Sequence, residues 1–217
     1  MKKCVVFDLD GTLLNTLSSI KHYADLALEK NGLPPIEKEK YKILAGFGSL
    51  SLIKGCFAYN GVTLSDDEAV EIEKEYLREY NSDPTYLTTV YDGIEELLSA
   101  LKEKGVAVCI NSNKPNSSVV PIIKHFFGDE VFSVIAGAKD GVPRKPDPTA
   151  VFEILDTLGL TPDDCIFVGD SDADMQTATN AGVFGFGALW GFRTEKELLE
   201  NGASAVSFNP LDILKYI

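Results

Sequence analysis

Histidine is scarce in this chain. His22 and His125 are the only two, and both fall in helix-like segments. The four cysteines, Cys4, Cys56, Cys109 and Cys165, are widely separated and form no CxxC pair. This usage argues against a zinc site and indicates no disulfide framework. Cys4, Cys109 and Cys165 lie in apolar runs, where a free thiol behaves as a small hydrophobe. Positive charge is also in short supply: 20 Lys and Arg face 33 Asp and Glu, for a net charge of −13. That balance argues against nucleic-acid binding, which needs a basic face, and against an anionic membrane surface. No run of 18 apolar residues exists, so no membrane span is expected. Lys2 and Lys3 precede an apolar stretch in the manner of a leader, but Asp8 interrupts it and no cleavage-site pattern follows. The chain is therefore read as cytoplasmic, a monomer or homodimer without nucleic-acid or membrane partners.

What is present is acid in particular places. Asp8-Leu9-Asp10-Gly11-Thr12 follows the run Cys4-Val5-Val6-Phe7, which reads as a short buried parallel strand. Residues two apart on a strand share a face, so Asp8 and Asp10 converge at its carboxyl end. Two unit charges ~4 Å apart repel by roughly 4 kcal/mol at an effective dielectric of ~20. A cation or a proton between them removes that cost. Gly11 lets the chain turn sharply away. Three further elements lie at strand ends or loop-to-helix starts: Asn111-Ser112-Asn113 after Val106 to Ile110, Lys145-Pro146-Asp147-Pro148, and Gly169-Asp170-Ser171-Asp172-Ala173-Asp174 after Cys165 to Val168. Open α/β sheets place their ligands at such points.

Between about Thr16 and Asn81 the pattern changes. Ile20, Tyr23, Ala24, Ala27 and Leu28 repeat at helical spacing, and Asn31-Gly32 ends that helix. Glu37 to Leu44, Leu50 to Ala58 and Asp66 to Tyr80 also read as helices, the last opened by Ser65 with Glu68 three residues on, a capping box. From Tyr91 onward strands and helices alternate: a strand at Val106 to Ile110, helix at Asn116 to Phe127, strand at Val131 to Ile135, helix at Thr149 to Leu158. Then follow a strand at Cys165 to Val168, helix at Ala173 to Ala181, strand at Val183 to Phe186, helix at Glu195 to Glu200, and a short strand with a terminal helix. Alternation implies a parallel sheet covered on both faces. The expected division is a discontinuous α/β core, residues 1–15 and 82–217, with a helical insert over 16–81.

In order and spacing, DLDGT, NSNKP, KPDP and GDSDAD resemble the haloacid dehalogenase superfamily, and within it the small-molecule phosphatases with a helical cap, such as phosphoglycolate phosphatases. The resemblance covers nearly the whole chain and implies a Rossmann-like core with an inserted all-helical cap. On that reading Asp8 is the nucleophile, forming an aspartyl-phosphate, and Asp10 is the general acid and base. The resemblance assigns Mg²⁺ to the Asp8 carboxylate, the Asp10 main-chain carbonyl and the Asp170 carboxylate. Asp174, one helical turn after Asp170, either binds metal through water or holds Lys145. Ser112, by resemblance, binds the transferring phosphoryl group, with Asn113 adding donors at the entry to a helix. Lys114 either assists or is simply solvated. Lys145, directly before Pro146, neutralises charge on Asp8 and the phosphoryl oxygens. Asp172 reads as a helix N-terminal charge. Gly46-Phe47-Gly48-Ser49 is expected to be a cap loop that dips over the site and screens substrates.

The implied activity is Mg²⁺-dependent hydrolysis of a small phosphorylated metabolite, phosphoglycolate-like or a sugar phosphate. A sugar-phosphate mutase would use the same Asp8 and Asp10, although Thr12 stands where similar mutases often carry Val. A phosphoacceptor signalling module would also use Asp, Ser or Thr, and Lys around Mg²⁺. The helical insert and the second Asp weigh against it.

Overall fold

Strand β1 (Cys4–Phe7) is wholly buried because the sheet flanks it on both sides and helices cover both faces. In the computed structural model, which describes residues 1–217, β1 pairs in parallel with β4 (Ala107–Pro115) and with β6 (Cys165–Gly169). Alternate side chains serve opposite layers. Val5 and Phe7 enter the larger apolar cluster, and Cys4 and Val6 the smaller one under α7 (Thr149–Leu158) and α8 (Asp172–Ala181). This is why the strand reads as an unbroken apolar run rather than an alternating one. Adding β5 (Val134–Ala138), β7 (Phe184–Ala188) and β8 (Ala205–Ser207) gives a six-stranded sheet in the order β5-β4-β1-β6-β7-β8. Counted within this sheet the order is 3-2-1-4-5-6, that of a doubly wound α/β fold. Its ligand crevice lies outside the carboxyl ends of the strands where the order reverses, here between β1 and β6.

Four helices interrupt the sheet after β1: α1 (Leu17–Lys30), α2 (Lys38–Leu44), α3 (Ser49–Tyr59) and α4 (Asp66–Ser82). Ser65 and Glu68 start α4 with reciprocal side-chain and backbone hydrogen bonds. Tyr23, Leu28, Tyr41, Ile53, Phe57 and Tyr80 bury one face of these helices, and they join the same apolar cluster as Val5, Phe7 and Leu13 of the core. The connections into and out of this unit pair with each other: β2 (Leu14–Asn15) and β3 (Thr89–Val90) form a two-stranded antiparallel ladder, Leu14 opposite Val90 and Asn15 opposite Thr89. The remaining helices are α5 (Ile94–Glu103), α6 (Asn116–Phe127) and α9 (Glu195–Glu200). No helix is long and apolar enough to cross a membrane.

Three expectations shift. The strand expected at Val131 to Ile135 runs from Val134 to Ala138, because its register is set by pairing with Cys109–Asn111; Phe132 instead packs into the core ahead of it. β4 continues past Ile110 to Pro115 through a register irregularity, so Asn111, Ser112 and Asn113 belong to the strand rather than following it. The terminal segment Pro210–Tyr216 is a 3-10 helix.

Candidate active site

Three strands deliver the site. Asp8 follows β1, Ser112 and Asn113 lie at the end of β4, and Asp170 follows β6. Because β1 is central, these residues meet at the reversal point of the sheet. Gly11 makes the approach possible: its φ is +89°, and a Cβ there would lie 2.3 Å from Asp170 Oδ2. The chain then folds back so that Thr12 Oγ1 donates to Asp170 Oδ1 (3.0 Å), while the Phe192 N–H donates to Asp170 Oδ2 (2.8 Å).

Asp8, Asp170 and Asp174 are all buried, and one carboxylate oxygen from each lies within 4.8 Å of the others. A single cation, Lys145, stands among them. Its Nζ donates to Asp174 Oδ1 (2.6 Å) and lies 2.8 Å from Asp8 Oδ1. Asp174 is itself fixed by a capping box at the start of α8. Its Oδ2 accepts from the Ser171 N–H (2.9 Å) and hydroxyl (2.5 Å). Asp174 therefore holds Lys145, and Lys145 faces Asp8. Burial would drive Lys145 toward neutrality, but Asp174 and Asp8 outweigh it and hold the ammonium above its ordinary range. Burial pushes the Asp8 carboxyl up to about 7 against the pull of Lys145, with Asp174 adding to the rise. Asp170 is raised as well, by burial and then by Asp174 and Asp8, despite the donors Phe192 and Thr12.

This arrangement leaves a charge deficit. Three carboxylates against one ammonium leave a formal −2. Asp8 Oδ1 is buried, and although Lys145 is near, no donor is aligned to hydrogen-bond it. A hard divalent cation with oxygen ligands fits both facts.

Asp10 stands apart from the cluster. Its two carboxylate oxygens are each 2.9 Å from Lys114 Nζ, in a pair that is 8% and 15% exposed. Lys114 also lies 4.6 Å from the centre of the Tyr80 ring. Burial opposes charge on Lys114, but Asp10 outweighs it, and the ammonium is held above its ordinary range. Lys114 is thus a buried ion-pair partner and not a solvated lysine.

Asp8 and Asp10 open onto a small cavity of ≈ 50 Å³. Its floor includes Ser112, Asn113 and Lys114; its roof is Ala45, Gly46, Gly48, Ser49 and Leu52 from the α2–α3 turn, with Tyr76, Leu77 and Tyr80 from α4. Lys145, Asp170 and Asp174 adjoin Asp8 without lining this cavity. Two expected roles change here. Phe47 does not line the cavity and is 39% exposed, so of the loop Gly46–Ser49 it is the residue turned to solvent. Asn113 lines the cavity, but its side-chain amide is spent within the protein: Nδ2 donates to Gly46 O (2.9 Å) and Lys145 O (3.2 Å), and Oδ1 accepts from the Lys145 N–H (2.9 Å). It braces the cap loop and the lysine loop against β4.

Sequence reasoning missed three contributors. Tyr76 and Tyr80 lie in an ordinary helical stretch with nothing to set them apart, and Arg193, which binds cap carbonyls from the core, carries no sequence signal.

Residues 5–188 match the model of the haloacid dehalogenase-like hydrolase family. A phosphoglycolate phosphatase 1 of Pseudomonas aeruginosa is 30% identical over 99% of this chain and 79% of its own length. The crystal structure of a predicted phosphoglycolate phosphatase from Haemophilus somnus 129pt superposes with a TM-score of 0.89 at 27% identity, covering 99% of this chain and 97% of that one. A β-phosphoglucomutase from Clostridium difficile superposes at 0.81 over 100% of this chain and 95% of its own, but at 22% identity that likeness extends to the fold alone.

Proposed function

Given that this chain belongs to the haloacid dehalogenase-like hydrolase family, we propose that it hydrolyses a small phosphomonoester through an aspartyl-phosphate on Asp8, with Mg²⁺ as cofactor. One observation carries the reading: Asp8, buried and facing Lys145, forms the wall of a cavity whose other residues include a second carboxylate, Asp10, and the hydroxyl of Ser112. The Asp8 and Asp170 carboxylates and the Asp10 carbonyl would hold the cation. What it supplies is charge, offsetting the repulsion between Asp8 and the phosphoryl oxygens.

The protein's own groups account for the rest. Asp174 aims Lys145, and Lys145 offsets the charge of Asp8 as the phosphoryl oxygens approach. Asp8 attacks phosphorus; a bond from its carboxylate oxygen forms as the ester oxygen leaves. Asp10 gives the leaving oxygen a proton. In the second half Asp10 takes a proton from water as that water attacks phosphorus, the bond to Asp8 breaks, and inorganic phosphate departs. Lys114 holds both Asp10 oxygens, so Asp10 must leave Lys114 before it can carry a proton. An anionic group on the substrate, competing for Lys114, would release it.

Asp8→Asn and Asp10→Asn test the roles. With an aryl phosphate, whose leaving group hardly needs a proton, Asp10→Asn should still phosphorylate Asp8, and the phosphoenzyme should accumulate because the attacking water has lost its base. Asp8→Asn should form none. Near-normal turnover by Asp8→Asn would overturn the mechanism, and isomerisation of a sugar phosphate without net phosphate release would establish a mutase.

A further inference from the structure

Arg193 follows β7 in the turn that leads to α9, 150 residues from Ile43 in sequence, yet its side chain is 6% exposed and ends inside the cap. Its guanidinium donates to Lys42 O, to Ile43 O (3.5 Å) and to Ala45 O (3.3 Å). These carbonyls close α2, where the helix itself offers no partners. A cation at that end is also favoured by the helix dipole. On its other side, Arg193 Nε faces Asp172 Oδ1 at 3.8 Å, a buried oxygen with no hydrogen-bond partner. The backbone leading to Arg193 is anchored in the site: the Phe192 N–H donates to Asp170, and Trp190 Nε1 donates to Thr12 O (2.9 Å). One short segment therefore ties the acidic cluster to the end of α2, and the residues that follow α2, Ala45, Gly46, Gly48 and Ser49, roof the cavity.

We propose that Arg193 is a positioning residue that seats the α2–α3 turn over the cavity. Asn113, bonded to Gly46 O, supplies the second tether. Only a guanidinium can serve three carbonyls that face it as a fork; a lysine ammonium keeps the charge but not the fork. Asp172 offsets the charge of Arg193 from the core side, so no carboxylate from the cap is needed to balance it. The consequence for turnover rests on the proposed phosphatase reading; the tether itself does not.

The test combines hydrogen exchange with steady-state kinetics on para-nitrophenyl phosphate in Mg²⁺, for the full chain, Arg193→Ala, Arg193→Lys and Asp172→Asn. The reporter amides are those of Ala45, bonded to Tyr41 O, and Leu52, bonded to Gly48 O. In Arg193→Ala they should exchange about tenfold faster or more, since charge-assisted hydrogen bonds are lost, while amides of β1 and β6 keep their rates. KM should rise about tenfold with kcat changed by less than threefold. Arg193→Lys should recover part of both effects, and Asp172→Asn should show smaller changes of the same sign. Unchanged exchange at Ala45 and Leu52, or equal acceleration in β1 and β6, would overturn the tether. A fall in kcat at unchanged KM would overturn the seating role. If the unmodified protein hydrolyses no phosphomonoester, the phosphatase reading fails and exchange alone decides the tether.

Discussion

Asp8→Asn should stabilise the cation-free protein, and the gain should grow with pH. Burial, with Asp174 and Asp10 adding repulsion, lifts the Asp8 carboxyl from 3.8 to about 7 in the fold even though Lys145 opposes the rise. The folded protein then binds a proton more tightly than the unfolded chain does. The stability this confers is fully present below about pH 3.8 and is lost as pH rises through about 7. At ~1.36 kcal/mol per pK unit the full loss is ~4 kcal/mol, reached near pH 8, with roughly a third of it already gone at pH 5. Asparagine has nearly the same shape and does not titrate. The variant should therefore gain on the unmodified protein by roughly 4 kcal/mol between pH 4 and pH 8, whatever constant offset comes from weakening the contact with Lys145. For a chain of this size that is on the order of 10 °C in Tm. Thermal or urea unfolding at several pH values in EDTA measures it. Saturating Mg²⁺ should shrink the gain at pH 8, because a cation takes over the charge that the proton had neutralised. A stability difference that stays flat from pH 4 to 8 in EDTA would show that Asp8 ionises in the fold as it does in water, and the charge-deficit argument for the cation would fall with it.

Three other outcomes follow from the same geometry. EDTA should abolish hydrolysis of an aryl phosphate, Mg²⁺ should restore it, and Ca²⁺ should inhibit, since its looser coordination spoils the line of attack; full activity in EDTA would remove the metal assignment. Lys114→Met should raise KM for a phosphate ester that carries a second anionic group at least tenfold and cost about 3 kcal/mol of stability by leaving Asp10 without its partner, which unfolding and initial-rate measurements would detect. Gly11→Ala should lose activity and stability together, because a side chain at φ +89° would also meet the Asp170 carboxylate; unfolding by urea should show a loss of at least ~1 kcal/mol.

The strands that carry the acidic cluster are legible because chemistry and periodicity coincide there. An apolar run ending in Asp8, or in Gly169-Asp170, can be read locally as strand and then site. Of the four cap helices, α1 is legible from its apolar repeat and α4 from its capping box. What stayed hidden depends on distant partners. Lys114 looks solvated beside Asn113 and Pro115; its burial comes from Tyr76 and Tyr80, more than thirty residues earlier, closing over it from α4. Asn113 has the composition of an anion-binding turn, but β4 extends through it and spends its amide on Gly46 and Lys145. Arg193 sits in a polar turn with nothing periodic around it, and its partners are carbonyls, which leave no trace in a sequence. The β2–β3 ladder is two residues long on each side, too short for alternation to show.

That ladder has a consequence for how such a chain can change over time. Leu14 and Asn15 lie against Val90 and Thr89, so everything between them leaves the core and returns at a single point. Inserted segments are tolerated where their two ends lie close together. The stretch from α1 to α4 is thus bounded like an exchangeable part. It can lengthen, shorten or be replaced, and the sheet that carries Asp8, Lys145 and Asp170 need not adjust. Arg193 and Asn113 reach from the core to carbonyls of its α2–α3 turn, Ser118 donates to Asn81, and Lys114 faces the Tyr80 ring. A new insert would have to satisfy those four side chains, and would otherwise be free to reshape the cavity onto which Asp8 and Asp10 open.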